Sequence, residues 1–284
     1  MQKILITLTA LGVLCGFSIG VLAIQDPQVK KEISEFQAYF KKRFPTVPIE
    51  AYSDGVNALP QYAERRANWE LLMEFPPFSP DMDSGRAMWN KPLKSGKTLA
   101  GCMTRPATKY PYYDAQRKEV RTIELDLNDC LKANGEEPIK NLKTGKIAIL
   151  VAAFREQFNG QKWDIDIDTP GAVAAYEAGK KFYWTKRGQL NFSCANCHVH
   201  SAGKKIRGDV LSAGLGHTTG FPVYRTKWAV AGKPWGTVHR RYGGCNTQVR
   251  AKAFKPQSTE YRNLEFYEAA LSTGVPIKSP SQRQ

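Results

Sequence analysis

Several things are scarce in this chain of 284 residues. Beyond residue 23 it has no apolar run approaching the roughly 20 residues that span a bilayer, so stable membrane insertion is not expected. No methionine follows Met103, and cysteine and histidine never form two pairs with zinc-finger spacing. Acid is nearly missing from one stretch: between positions 201 and 255 eleven lysines and arginines accompany a single acid, Asp209. Such a field attracts small anions or an acidic partner. Internal repeats and long low-complexity segments are missing too, and strand-like alternation is weak throughout, which leaves a mainly α class.

What is present begins with an export leader. Lys3 supplies the positive start, Ile4 to Gly20 the apolar stretch, and Val21-Leu22-Ala23 the small-residue cleavage site. Residues 1–23 are therefore expected to be removed on export to the periplasm. A retained anchor is the alternative, while bulky Val13-Leu14 argue against lipidation at Cys15. Nucleic acid, the other partner a basic stretch suggests, is rarely met by an exported protein.

Cys194-Ala195-Asn196-Cys197-His198 carries the chemistry. Cys-x-x-Cys-His is the spacing with which two thiols add to the vinyl groups of haem while the histidine binds its iron. A redox dithiol would need the strand–helix context of a thioredoxin fold, which is not found here. One covalent haem c, held by Cys194, Cys197 and His198, is expected, and this fits the periplasm.

The iron's sixth position follows by elimination. With no methionine available, His200, His217, His239 and Cys245 remain. His200 is too close to His198 to reach the opposite face. Cys245 follows Arg240 and Arg241, and cationic neighbours favour the thiolate that binds iron and attacks sulfur. If the segment is helical, Arg241 shares a face with Cys245; Gly243-Gly244 argue instead for a turn. Arg240, Arg225 and Lys204 would widen the basic approach. Of the other cysteines, Cys102 and Cys130 are the natural disulfide pair, leaving Cys245 free.

Helical spacing of Ile33, Phe36, Tyr39, Phe40 and Phe44 predicts a first helix ended by Pro45. Phe75 to Pro80 reads as a stiff loop, and Ser84 as the cap of a short helix carrying Met88 and Trp89. Further helices are expected over 120–133, 146–158, 171–185 and 258–272. The extended, acidic stretch from Gln161 to Pro170 marks a boundary between domains 24–160 and 161–284, the second carrying the haem.

From about Gly85 onward the chain resembles the SoxA family. The resemblance lies in Gly188-Gln189-Leu190 running to the haem motif, Gly216-His217-Thr218-Thr219-Gly220-Phe221-Pro222-Val223-Tyr224-Arg225, Arg240-Arg241 with Cys245, and the ending Pro276-Ile277-Lys278-Ser279-Pro280. It implies two cytochrome c-like domains and L-cysteine S-thiosulfotransferase activity, which joins thiosulfate to a cysteine of the SoxYZ carrier protein. It also implies a heterodimer with SoxX, a smaller cytochrome. Cys245 would be an axial ligand, often a persulfide, and Arg241 would bind thiosulfate. Many members carry a second haem in the N-terminal domain. Here Cys102-Met103-Thr104-Arg105-Pro106 lacks its second cysteine and histidine, which implies the single-haem branch with Cys102 bonded to Cys130. A plain electron-transfer cytochrome, with Cys245 only tuning the haem, is the competing function; a structural subunit docking a catalytic partner is a weaker one. The resemblance gives no role for His239.

Overall fold

The computed structural model describes residues 25–206 and 208–283; the leader expected at 1–23 lies outside them. The first helix, α1 (Pro27–Arg43), begins where the Asp26 carboxylate accepts the Gln28 and Val29 N–H groups and Pro27 supplies a pre-set first turn. Val29, Ile33, Phe36 and Phe40 form its buried stripe, while Lys41, Lys42 and Arg43 lie at the negative end of its dipole. Tight 3-10 turns over Ile49–Ala58 lead into α2 (Ala63–Glu74), which sequence periodicity does not reveal. Then α3 (Ser79–Asn90) starts five residues before Ser84, because Pro80 fits a first helical turn; Ser84 is interior, not a cap. A single turn, α4 (Leu99–Cys102), follows.

A small hairpin, β1 (Tyr112–Asp114) with β2 (Glu119–Arg121), occupies what was expected as the start of a helix at 120. The helix α5 (Ile123–Ala133) begins after it, capped by Thr122 and stopped at Asn134, with Gly135 left-handed. Its Cys130 is bonded to Cys102 of α4, as expected. Next, α6 (Lys146–Glu156) is buried on nearly every side. Residues 161–169 are extended, with Trp163, Ile165 and Ile167 buried in alternation. This stretch is no exposed linker: Trp163 N–H donates to the Val275 carbonyl at 3.0 Å, and Ile167 bridges Gln25.

In the C-terminal half, α7 (Pro170–Trp184) leads toward the haem motif, capped by Thr169. A two-residue ribbon, β3 (Lys205–Ile206) with β4 (Asp209–Val210), follows the motif. Then come β5 (Val223–Arg225), the short α8 (Thr226–Ala229), β6 (Trp235–Gly236), α9 (Val238–Gln248), α10 (Thr259–Leu271) and β7 (Ser281–Arg283). The three strands form one sheet in the order β6-β5-β7, antiparallel then parallel. Helices α7 and α10 cross closely at Gly179, where a Cβ would overlap the Asn263 carbonyl and stand 2.8 Å from Tyr267 Cβ. Every described strand is two or three residues long, so the mainly α class holds.

Candidate functional site

The motif follows α7 through a loop closed by the Arg187–Phe192 bridge. Ser193 and Asn196 then cap each other: Ser193 N–H donates to Asn196 Oδ1 at 2.9 Å, and Asn196 N–H to Ser193 Oγ at 3.1 Å. This lock starts a helical turn at Cys194, and Asn196–His200 continue it as a wide π-type turn. From the other half of the chain, Arg43 of α1 donates to the carbonyls of Val199 at 2.6 Å and Ala202 at 2.9 Å, which satisfies the end of that turn.

His198 is buried, and its Nδ1 lies 3.0 Å from the Ser212 carbonyl. A carbonyl can only accept, so Nδ1 carries the proton and Nε2 is left as a ligand lone pair. Burial, reinforced by the charges of Arg241 and Arg283, brings its pKa down to about 4, so it is neutral at physiological pH. Burial pushes the thiols of Cys194 and Cys197 up.

These groups line one cavity with an empty volume of about 930 Å³, mouth included, within the ~300–1,000 Å³ typical of cofactor sites. Cys245 and Arg241 line it too. Both stand on α9, one turn apart, so the helical reading of 241–245 holds and Gly243-Gly244 make no turn. The walls are largely apolar: Phe182, Leu190, Phe192, Ile206, Leu211, Val249 and Leu264. Apolar walls, two unbridged thiols, an imidazole with a free Nε2 and a third thiol are what a haem with a sulfur axial donor would need. Zinc fares worse: among the described residues no three His, Cys, Asp or Glu side chains gather as a metal site.

Of the other ligand candidates, His217 also lines the cavity, but on the wrong side of His198. The His217 ring centroid is 4.2 Å from that of His198, whereas two imidazoles on opposite faces of one metal need roughly 6 Å, given metal–nitrogen bonds of about 2 Å. Ser212 holds both rings, its hydroxyl 2.9 Å from His217 Nδ1. His239 does not line the cavity; its Nδ1 accepts the Gln257 N–H at 2.8 Å, which leaves Nε2 protonated 3.1 Å from Glu265. It is a core histidine tying α9 to α10, the role the sequence could not supply. Arg240 is structural as well: it stacks on Trp228 and donates to the carbonyls of Lys233 and Trp235. Lys204 is exposed and outside the cavity lining, while Arg225 enters an adjoining polar cavity.

Sequence reasoning missed the acid in the wall. Glu268 of α10 accepts a hydrogen bond from the Tyr242 hydroxyl, and both line the cavity. Burial holds the Glu268 carboxyl up at about 8; the Tyr242 hydrogen bond opposes this and the Glu265 charge adds to it. The signal was helical spacing, since Tyr242 lies three residues before Cys245 on α9.

The chain is similar to known proteins. The profile described as "SoxA/TsdA, cytochrome c domain" matches residues 84–163, a stretch that includes Cys102 and Cys130. The L-cysteine S-thiosulfotransferase subunit SoxA of Chlorobaculum tepidum is 44% identical over 259 residues, covering 90% of this chain and 88% of that one. The protein of the same name from Allochromatium vinosum is 43% identical, with 96% of each chain covered. The crystal structure of SoxXA from P. pantotrophus superposes with a TM-score of 0.65 at 30% identity, covering 74% of this chain and 79% of that chain.

Proposed function

The chain belongs to the SoxA family, and from that premise we propose that it joins thiosulfate oxidatively to a cysteine of a carrier protein of the SoxYZ kind. The balanced step takes a carrier thiol and thiosulfate to a cysteine S-thiosulfonate, forming one sulfur–sulfur bond and releasing one proton and two electrons.

Within this reading, Cys194 and Cys197 would hold one haem c through thioethers, with His198 offering Nε2 to its iron. When bound, the haem would supply a one-electron redox centre through which the two electrons leave in turn. Cys245 would help hold the iron and, as thiolate or persulfide, would be the reactive sulfur. Arg241, one turn away on the same helix face, seats the thiosulfate dianion through charge-assisted hydrogen bonds. His198, fixed by the Ser212 carbonyl, keeps one tautomer throughout. The single observation that carries the reading is that Cys194, Cys197, His198, Arg241 and Cys245, from two distant parts of the chain, line one cavity.

The domain arrangement follows the same logic. Residues 24–160 form a haem-free cytochrome c-like domain and 161–284 the haem-binding one, after a leader over 1–23 that directs the chain to the periplasm. The cytochrome profile over 84–163 supports the first, since that stretch has a Cys102–Cys130 disulfide and no Cys-x-x-Cys-His. The likeness to a SoxXA structure supports a SoxX-type cytochrome as the partner in a heterodimer. Among the described residues no helix is long and apolar enough to cross a membrane.

The test is thiosulfate-dependent haem reduction in the presence of carrier. Cys245→Met should keep its haem and lose coupling by about 100-fold or more, while Arg241→Gln should raise the KM for thiosulfate about 10–100-fold, the effect of losing a charged hydrogen bond. Unimpaired coupling in Cys245→Met would overturn the role of Cys245 as the reactive sulfur and leave it only tuning the haem. Electron paramagnetic resonance of the oxidised protein adds a check, since histidine–thiolate parameters are expected.

A further inference from the structure

The Cys102–Cys130 disulfide takes no part in the function proposed above. It lines a separate cavity in the N-terminal half, with an empty volume of about 1040 Å³, mouth included. Its two sulfurs are unequally placed. Cys130 is 7% exposed, whereas Cys102, at the end of the single turn α4, is only partly buried. Access from solvent therefore favours the Cys102 sulfur.

One side chain is held against both sulfurs. The Ser95 hydroxyl donates to Asn134 Oδ1 at 2.6 Å, which turns the amide so that Nδ2 faces the disulfide. Nδ2 donates to the Cys130 carbonyl at 2.7 Å and stands 3.9 Å from each sulfur, the outer edge of hydrogen-bond reach for sulfur. A neutral disulfide is a weak acceptor and gains little from such a donor; a thiolate, carrying full charge, gains far more. Buried Asn134 is thus a donor set in advance where charge appears when the bond opens. The lining also favours an anion. Its two acids, Asp126 and Asp129, are both held by Arg121, at 2.9 and 2.5 Å. Arg105 lies over the Tyr112 ring at 3.7 Å, and among the described residues it has no acid within ion-pair distance.

We propose that Cys102–Cys130 is a thiol–disulfide exchange site for small anionic thiolates, with Cys102 as the sulfur attacked. The incoming thiolate forms a bond to Cys102 Sγ and the bond between the two cysteines breaks. Its electron pair leaves on Cys130 Sγ, beside Asn134 Nδ2. A second thiolate then attacks the mixed disulfide, releases Cys102 as a thiolate and leaves as a disulfide of the two nucleophiles. Solvent protons convert the pair to a dithiol, so the incoming thiols are the only reductant. The exchange needs no haem.

The test treats purified holoprotein in native buffer with glutathione or, separately, cysteamine at equal thiolate concentration. Free thiols are trapped with iodoacetamide and the peptides carrying Cys102 and Cys130 are read by mass spectrometry, while circular dichroism reports the fold. Glutathione, an anion, should leave a mixed disulfide on Cys102 and an alkylated Cys130, about 10-fold faster than the cationic cysteamine. Arg105→Gln should remove most of that preference. Asn134→Ala should slow glutathione exchange about 10-fold, the effect of losing a hydrogen bond to a charged group. Should that variant not fold, Ser95→Ala, which leaves the amide unclamped, should show the slowing instead. Exchange that begins only when urea unfolds the parent protein would overturn the proposal. So would an adduct confined to Cys130, equal rates for the two thiols, or an unslowed amide variant.

Discussion

Glu268 shows how one side chain links the cavity to stability. Its carboxyl titrates at about 8 in the fold against an ordinary 4.5, mainly through burial. Between those values the unfolded chain has lost a proton that the folded chain keeps, so this group's contribution is full below pH 4.5 and lost as pH rises to 8. Glu268→Gln keeps an acceptor for the Tyr242 hydroxyl and removes the titration. Urea unfolding of the holoprotein should find the variant more stable than its parent at pH 8, on the order of 2–4 kcal/mol, with the gap closing toward pH 5. An equal pH slope in both proteins would place the effect elsewhere.

Elements meet where side chains are small. At the α7–α10 crossing, Gly179→Ala pushes a methyl into the Asn263 carbonyl. About 2–3 kcal/mol of destabilisation is expected by urea titration, together with disturbed haem absorbance because α7 leads into the motif. Helices with a buried stripe were legible beforehand, as α1, α7 and α10 show. Helix α2 was not, since it buries only Trp69 while Leu71 is 64% exposed, and a helix without an apolar stripe leaves no period to read. The Cys-x-x-Cys-His motif was legible because its three side chains lie within five residues, and Cys245 because its arginine neighbours are local. Glu268 was not, because only the packing of α10 beside α9 brings it into the same wall as Cys245.

At the scale of the whole molecule, one apolar core runs through both halves, and buried Arg155 of α6 ties them by donating to the Phe221 carbonyl at 2.5 Å. The Cys102–Cys130 disulfide borders a different cavity from the haem motif. Replacing both cysteines by serine should therefore cost about 3–4 kcal/mol in chemical unfolding, the chain-entropy figure for a span of 28 residues, and leave the haem potential unchanged. A moved potential would mean that the two halves communicate. The grip of Arg43 on Val199 and Ala202 has its own consequence for biogenesis. Synthesis delivers α1 long before Val199 and Ala202 exist, so this contact forms only after the chain has passed residue 202. The amphipathic α1 therefore stays without this partner until the C-terminal half of the chain has been made.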